Sequence, residues 1–329
     1  MATEDQSVFC FPQLINISCR KPTFHWSEGV LLTVLLSFIC IFTVVLNLLV
    51  IISISHFRQL HTPTNLLLLS LAVTDFLVGL LVWPGEIYSR ASCWTIGDFL
   101  CFFYKYMSFL VTFVSVVNMV LISADRYVAI CDPLHYKTKV TVKRVQLWVC
   151  LCWILALFLC SIILKDQLAH PGKYTSCHGE CVVGMDFEGG ILDLVTTFLL
   201  PLSIIITLYM RVFVVAVSQA RAMRSHVTSI KLQHSVVGRA KKSELKAART
   251  LGVLVLVFLM CFCPYYIVIL AGDNKTVSSF ADYVVYLFSF NSCLNPLLYA
   301  LFYPWFRRAV RHIVTLHILQ PGSSTHNVL

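Results

Sequence analysis

The stretch VLLTVLLSFICIFTVVLNLLVIISI, residues 30–54, is almost entirely apolar and contains no charged side chain. A helix needs about 20 mostly apolar residues to cross the hydrocarbon of a bilayer, so this run is long enough to span it. Backbone groups in lipid must be satisfied internally, and a continuous apolar run is typical of a helix rather than of a barrel strand. The sequence therefore predicts an all-α membrane protein, a seven-transmembrane-helix bundle, because six similar runs follow at 65–88, 99–124, 146–164, 192–215, 249–271 and 280–302.

The overall composition supports this prediction. Hydrophobic residues make up 58% of the 329 positions and charged residues 12%, whereas ordinary soluble domains have roughly 45–50% and about 25%. So few charges could not cover the surface of a soluble protein of this length. The excess apolar area must face lipid, which makes membrane lipid the first predicted partner.

The basic residues indicate how the helices are oriented. The net charge is +9, and most lysines and arginines fall at Arg58 and in the segments 137–144, 221–249 and 307–311. These segments alternate with poorly charged ones, as the positive-inside rule requires of a protein with several spans. The sequence thus predicts a multi-pass plasma-membrane protein with an extracellular N-terminus. Nucleic acid is excluded as a partner, because the basic residues form no patch interleaved with aromatic residues.

Other features of the predicted outer side agree with this orientation. The glycosylation sequons at Asn16 and Asn274 both fall there. Disulfides are permitted on that side because it is oxidising. The cysteines found there are Cys10, Cys19, Cys177, Cys181 and, at the start of the third run, Cys101.

The chain divides into three predicted parts. Residues 1–29 form an extracellular N-terminus, residues 30–303 the seven-transmembrane domain, and residues 304–329 an amphipathic helix with a cytoplasmic tail. In the last part apolar residues such as Phe306 share one face, opposite arginines such as Arg307. Such a helix is expected to lie on the inner leaflet.

Ionisable side chains inside membrane spans are costly, and they are therefore functional candidates. Six occur in or beside the apolar runs: Asp75, Glu86, Lys105, Asp125, Arg126 and Asp193. With their neighbours they form motifs in a fixed order, Leu71-Ala72-Val73-Thr74-Asp75, Asp125-Arg126-Tyr127, Cys261-Phe262-Cys263-Pro264 and Asn295-Pro296-Leu297-Leu298-Tyr299.

In this order the motifs resemble those of the rhodopsin-like (class A) G-protein-coupled receptors over nearly the whole chain. Longer stretches resemble the trace amine-associated receptors, namely HFRQLHTPTNLLLLSLAVTDFLVGLLVWP (56–84), ADRYVAICDPLHY (124–136), KKSELKAARTLG (241–252) and NSCLNPLLYALFYPWFRRA (291–309). The resemblance implies a receptor in olfactory neurons that binds a small amine and activates a heterotrimeric G protein of the stimulatory type.

The resemblance implies no enzymatic activity, and no nucleophile–base set or metal-binding spacing is visible. A transporter, the alternative from another class, would need broken midplane helices or inverted repeats, and neither is visible.

The resemblance places a signalling switch at the inner end of the bundle. Asp125 would hold the guanidinium of Arg126, and Glu244 would add a charge-assisted hydrogen bond that locks the third helix to the sixth. Release of this lock would let the sixth helix move and open a cleft for the G protein. The alternative is that Arg126 merely extends to the lipid headgroups. The other residues of the implied switch are Tyr127, Tyr209, Asn295, Pro296 and Tyr299.

A polar site in the middle of the bundle is also implied. Asp75, Ser115, Asn291 and Asn295 would meet there, and their oxygen atoms suit a sodium ion with waters. A water network without an ion is the alternative. No other cofactor is expected.

The resemblance further implies two disulfides. Cys101 would pair with Cys181, and Cys19 with Cys177. Cys10 would then be left over, although the sequence leaves open whether Cys10 or Cys19 forms the second bridge.

The chain departs from the amine receptors at the third-helix position of the usual ammonium-binding aspartate, which here is Ser108. Ser289 replaces the usual seventh-helix tyrosine, and Phe262 replaces the usual sixth-helix tryptophan. A different carboxylate, Asp193, lies eight residues before Pro201, about two helical turns toward the outside. Some fish trace amine receptors are understood to use an aspartate at this position, so Asp193 is the predicted anchor for the ammonium group.

A cationic ligand would relieve the cost of an unpaired carboxylate in a partly dehydrated cavity. Asp193 could instead be solvated or paired with Lys105 or His178, and the receptor could bind a ligand that is not an amine. Glu86 either pairs with Lys105 or, if free, binds the far end of a diamine. The remaining predicted ligand-binding residues are Ser108, Phe109, Thr112, Phe198, Phe262, Tyr265, Tyr266 and Tyr286, the aromatic ones through cation–π contacts.

Overall fold

The computed structural model describes residues 9–14, 17–21, 26–170, 175, 177–226, 252–253, 255–268, 270 and 275–328. Within these ranges the chain is helical, and strand-type pairing is limited to two isolated bridges. Six helices are long and apolar enough to cross a membrane, and the shorter α6 is apolar as well. The predicted seven-helix bundle is therefore confirmed, with α1 Trp26–His56, α2 Pro63–Ala91, α3 Asp98–Cys131, α4 Val142–Ile163, α5 187–226, α6 Val255–Val268 and α7 Lys275–Phe302.

The outer faces of the bundle are apolar. On α1, Leu31 is 70% exposed and Phe38 65%, and on α4 Ile154 and Phe158 are each 63% exposed. A water-facing surface would not carry so many large apolar side chains in adjacent positions. These faces suit lipid, as expected of a multi-pass membrane protein.

The interior is organised around α3, which packs against α2, α4 and α5. The main core includes Leu71 of α2, Met119 of α3 and Tyr299 of α7, all of them fully or almost fully buried. Polar residues are buried in the same region, among them Asn47 and Asp75 at 0% exposure. The central position of α3 brings its motif residues close to several other helices at once.

Two π-helical segments interrupt the regular helices, at Val78–Val82 in α2 and Leu194–Leu199 in α5. Each precedes a proline, Pro84 or Pro201. A proline has no N–H to give and its ring clashes with the carbonyl four residues earlier, and that carbonyl lies within the π-helical segment in both helices. The turns between Asp193 and Pro201 are therefore of the wider i→i+5 type, and Asp193 still lies about two turns from Pro201 on the same helix.

A short helix, α8 (Pro304–Val314), follows α7. Trp305 and Phe306 are buried against the bundle, whereas Arg307 and Arg308 are exposed. This separation of apolar and basic faces is the amphipathic pattern that the sequence predicted. Beyond α8 the chain turns back, and the Ser323 hydroxyl lies 3.0 Å from Nε2 of His56 at the end of α1.

Candidate functional site

A cavity of about 270 Å³ opens between α2, α3, α5, α6 and α7 at the end of the bundle that carries the N-terminal segment. Its size is just below the ~300–1,000 Å³ of drug-sized ligand pockets, so it suits a small molecule. Seven of the predicted ligand-binding residues line it: Glu86, Ser108, Phe109, Thr112, Asp193, Tyr265 and Tyr266.

Asp193 is partly buried at the α5 wall of this cavity. Its Oδ1 accepts a hydrogen bond of 2.9 Å from the Thr197 hydroxyl. Among the described residues no lysine, arginine or histidine forms an ion pair with it, so neither Lys105 nor His178 provides the alternative partner considered above. The anion of Asp193 thus faces a confined space with one neutral hydrogen-bond donor.

Glu86 has a contrasting environment. Its Oε1 accepts hydrogen bonds from Nζ of Lys105 at 2.9 Å and from the Tyr104 hydroxyl at 3.3 Å. Its Oε2 lies 3.5 Å from Nε of Arg90. The alternative in which Glu86 is free is therefore wrong, since two cations already surround this carboxylate.

Three of the predicted aromatic residues, Tyr286, Phe262 and Phe198, lie outside the lining of this cavity. Tyr286 points toward α1 and α2, where its ring stacks on Trp83 with centroids 6.1 Å apart. The reason is helical phase, because Val285, Phe288 and Ser289 of α7 face the cavity and position 286 falls outside their stripe.

Phe262 lies below the cavity rather than in its wall. Its ring packs against Phe258 at 4.0 Å and Phe288 at 4.3 Å between centroids. It borders a second space of about 20 Å³ that continues downward from Ser108 and Ser289. Phe198 likewise supports the wall from behind, stacked on Tyr266 at 4.4 Å.

The sequence interpretation missed the roof of the cavity. Val182, Val183 and Met185 line it from the loop that follows Cys181. The sequence contained a signal for this roof, because a disulfide from Cys181 to the start of α3 must place the residues after Cys181 over the end of the bundle.

Three disulfides join this end of the protein: Cys101–Cys181, Cys19–Cys177 and Cys10–Cys93. The first two are the pairs that the resemblance implies. The prediction that Cys10 is left over is wrong, because the loop between α2 and α3 presents Cys93 to it. Backbone hydrogen bonds also tie the N-terminal segment to the loop before α5, from Cys19 N–H to the His178 carbonyl at 2.9 Å and from His178 N–H to the Ile17 carbonyl at 2.7 Å.

At the opposite end of the bundle, Asp125 binds the neighbouring Arg126 through its Oδ2, with Nε at 3.0 Å and Nη2 also in contact. Two further residues hold the carboxylate: the Tyr136 hydroxyl donates to Oδ1 at 2.7 Å and the Thr64 hydroxyl to Oδ2 at 2.8 Å. Burial and the charge of Asp125 raise the pKa of Tyr136, so this phenol stays protonated and donates a hydrogen bond to the carboxylate. Sequence reasoning missed both Thr64 and Tyr136, which come from α2 and the loop after α3.

The structure gives fewer contacts for the remaining residues of the predicted switch. Glu244 lies outside the described residues, as do the sequons at Asn16 and Asn274. Tyr127 is partly exposed, next to Arg126. The hydroxyls of Tyr209 and Tyr299 are buried and have no hydrogen-bond partner among the described residues. Pro296 lies inside the continuous helix α7, about one turn before Tyr299.

Of the predicted mid-bundle polar residues, Asp75 contacts Asn295, and Ser115 and Asn291 both line the small space beneath the cavity. Nδ2 of Asn295 donates to Oδ2 of Asp75 at 2.8 Å. Four buried oxygen atoms have no partner among the described residues: Asp75 Oδ1, Ser115 Oγ, Asn291 Oδ1 and Asn295 Oδ1. A buried polar oxygen is costly unless it is bonded, and a set of hard oxygen donors with one carboxylate fits a small cation with waters.

Comparison with known proteins agrees with this geometry. The family model "7 transmembrane receptor (rhodopsin family)" matches residues 46–299. The zebrafish (Danio rerio) "Trace amine-associated receptor 13c" is 37% identical over 98% of this chain and 97% of its own length. The human "Trace amine-associated receptor 1" is 35% identical over 96% of both chains, and the rat (Rattus norvegicus) "Trace amine-associated receptor 5" is 35% identical over 98% of this chain and 95% of its own.

Proposed function

This chain belongs to the rhodopsin family of seven-transmembrane receptors and to its trace amine-associated branch, and we propose that it detects a small cationic amine whose ammonium group binds Asp193. Members of this family are G-protein-coupled receptors for small ligands and are not enzymes.

The observation that carries the proposal is the contrast between the two carboxylates of the cavity. Glu86 is compensated by Lys105 and Arg90, whereas Asp193 has the Thr197 hydroxyl and no cation among the described residues. A carboxylate removed from bulk water is stabilised strongly by an ammonium partner. Asp193 is therefore the cavity residue that gains most from a cationic ligand.

The rest of the cavity suits this role. Ser108 contributes a hydroxyl where other amine receptors carry their aspartate, so no second anion competes on α3. Tyr265 and Tyr266 line the same space from α6 and offer ring faces and hydroxyls to a bound ammonium. A ligand held at Asp193 would thus be enclosed between α3, α5 and α6.

In the proposed mechanism, ligand binding draws α5 and α6 together around the ammonium group and favours the release of Arg126 from Asp125. The sixth helix then moves away, and Arg126 becomes available to a G protein, which we expect to be the stimulatory type. Glu244 is the proposed second lock on this arginine. The N-terminus and the three disulfides are proposed to be extracellular. The cell that carries the receptor is proposed to be an olfactory neuron, and the support for this is the likeness to the zebrafish receptor.

The proposed cofactor is a sodium ion bound by Asp75, Ser115, Asn291 and Asn295. Its support is the group of buried oxygens without partners described above. A cation there would stabilise the resting arrangement of α2, α3 and α7.

The proposal is tested with Asp193→Asn in cells that carry a cAMP reporter and an epitope tag for surface expression. Asparagine keeps the shape and the acceptor for Thr197 but removes the charge. Loss of a buried, hydrogen-bonded ion pair costs about 2–5 kcal/mol, so we expect amine potency to fall at least 30-fold. The matched control is Glu188→Asn, an exposed acid on the same helix.

If amines keep their potency at Asp193→Asn with normal surface expression, the anchor is elsewhere. A receptor that responds to uncharged molecules and not to amines would favour the second candidate, a receptor of the same class for a non-amine ligand. An increase in cAMP is expected on activation, and a decrease would contradict the stimulatory assignment.

A further inference from the structure

The cavity has charges of opposite sign on two of its walls. Asp193 lies on the α5 wall, while Nζ of Lys105, which extends from α3, lies at Glu86 on the α2 side. Lys105 and Asp193 form no ion pair with each other, although both line the same space. A ligand that fills the cavity therefore meets an anion at one wall and a cation at the other.

The cation is more accessible than the carboxylate that accompanies it. The side chain of Lys105 is 22% exposed, whereas that of Glu86 is 7% exposed. Glu86 is covered by Tyr104, Lys105 and Arg90, and its two oxygens are both engaged. The side that Lys105 and Glu86 present to the cavity is therefore positive.

Lys105 also retains hydrogen-bonding capacity. An ammonium group has three N–H donors, and in the described residues its hydrogen-bond partners are Glu86 and the neighbouring Tyr104, which use at most two of them. Its Nζ lies 4.7 Å from the centroid of the Tyr104 ring, which fixes its direction. At least one N–H is thus left to bind an acceptor in the cavity.

We propose that the ligand is a small zwitterion, an amine with a carboxylate at its other end, and that Lys105 binds this carboxylate. The inference rests on the proposed function, because it takes Asp193 as the ammonium site. The ammonium of the ligand then pairs with Asp193. Its carboxylate pairs with Lys105, which together with Arg90 and Glu86 forms a group of net positive charge in the cavity wall. A small ligand can contact both walls at once because the cavity is only about 270 Å³.

The same geometry disfavours a diamine. Its second ammonium would have to approach Glu86 beside Lys105 and Arg90, and like charges in a confined space repel. A simple alkylamine would pair with Asp193 but leave Lys105 without the additional acceptor. The expected order of potency is therefore zwitterion, then alkylamine, then diamine.

The experiment compares the potencies of three molecules with the same number of carbons in the cAMP assay on the intact receptor. They are 5-aminopentanoate, pentylamine and 1,5-diaminopentane. The corresponding four-carbon set (4-aminobutanoate, butylamine and 1,4-diaminobutane) is measured beside them. Since a charge-assisted hydrogen bond contributes about 1.5–3 kcal/mol, we expect the zwitterion of the better-fitting length to be about 10-fold to 100-fold more potent than its alkylamine. Any other order of the three molecules at both lengths overturns the proposal.

Substitutions then assign the effect to Lys105. Lys105→Met should abolish the advantage of the zwitterion and raise diamine potency, because Glu86 loses one of its cations. In the double variant Glu86→Gln, Lys105→Met the diamine gain should disappear, and this variant leaves no unpaired buried carboxylate that could impair folding. Lys165→Met, at an exposed lysine outside the cavity, is the matched control. An unchanged preference for the zwitterion in Lys105→Met overturns the proposal.

The two proposals fail in different ways. If Asp193→Asn leaves all three molecules at full potency, the amine anchor itself is wrong. If Asp193→Asn abolishes the pentylamine response but the zwitterion has no advantage in the wild type, the anchor stands and the role of Lys105 is wrong.

Discussion

The Thr197 hydroxyl donates a 2.9 Å hydrogen bond to Oδ1 of Asp193 across the start of the π-helical segment Leu194–Leu199. Thr197 is also the residue whose carbonyl is displaced by the ring of Pro201, four positions later. The local irregularity of α5 and the orientation of the proposed ammonium anchor are therefore linked through one residue, Thr197, by its carbonyl and its hydroxyl.

Thr197→Val should weaken amine responses, because the valine keeps the shape but no longer orients the carboxylate. One hydrogen bond to a charged group contributes about 1.5–3 kcal/mol. Only the part of this energy that orients the Asp193 carboxylate toward the ligand affects binding, so we expect a threefold to tenfold loss of potency. Thr197→Ser retains a hydroxyl and should respond like the wild type. Equal potency of the valine and serine variants in the cAMP assay would contradict a positioning role.

Tyr136→Phe should raise signalling in the absence of ligand. It removes the 2.7 Å hydrogen bond to Oδ1 of Asp125 and so weakens the resting arrangement around Arg126. We expect ligand-free cAMP, normalised to surface expression, to rise severalfold. Thr64→Val, which removes the donor to Oδ2, should act in the same direction.

The matched control for this experiment is Tyr106→Phe, whose hydroxyl binds Ser161 and the Leu157 carbonyl away from the switch. It should leave ligand-free cAMP at the wild-type level. If Tyr136→Phe lowers ligand-free signalling or leaves it unchanged, the hydroxyl does not restrain the resting state.

Cys10→Ser and Cys93→Ser should each destabilise the receptor by the same amount, and the double variant by no more than either. The reason is that all three lose a single covalent link, the one between the N-terminal segment and the loop after α2. Loss of a native disulfide typically costs about 2–5 kcal/mol. The test is the midpoint of thermal unfolding of the purified receptor, with Cys150→Ser, an exposed free thiol, as control.

These variants should still reach the cell surface, because Cys19–Cys177 continues to hold the N-terminal segment. If the two single variants differ in their midpoint of thermal unfolding, one of the two cysteines has another partner. A midpoint like that of the wild type in the double variant would mean that the bond contributes nothing to stability.

Asp75→Asn should remove any dependence of ligand potency on sodium. The wild type should respond less sensitively in sodium chloride than in potassium chloride of equal strength, because the proposed sodium ion would stabilise the resting bundle. The variant should give the same potency in both salts, and Asp98→Asn, at an exposed position, should behave like the wild type. Sodium dependence that persists in Asp75→Asn would place the ion elsewhere.

Much of the fold could be predicted from the sequence because its determinants are local. The run at 30–54 predicts a membrane helix by length and composition alone, and α1 extends it only to Trp26–His56. Asp193 could be predicted as a cavity residue because a carboxylate within an apolar run has few other roles. Lipid imposes these constraints on each segment separately, without regard to its neighbours.

The pairing of groups distant in the chain could not be predicted in the same way. Whether Glu86 is free or compensated depends on the rotation of α3, which brings Lys105 against it. Tyr286 was predicted to face the ligand and instead stacks on Trp83, since helix phase is fixed only when helices pack.

By itself, the sequence determined that this protein is a membrane-embedded chain of the receptor family, with a carboxylate at Asp193 and a predicted switch at Arg126. The tertiary structure decided what surrounds them: Thr197 beside the anion, Lys105 on the facing wall, and Thr64 and Tyr136 on Asp125. The length of an apolar run and its residue types are properties of single segments, so they can be read directly from the sequence. The sign of the charge that a cavity presents is a property of several helices together, because desolvation and pairing act only after those helices have packed.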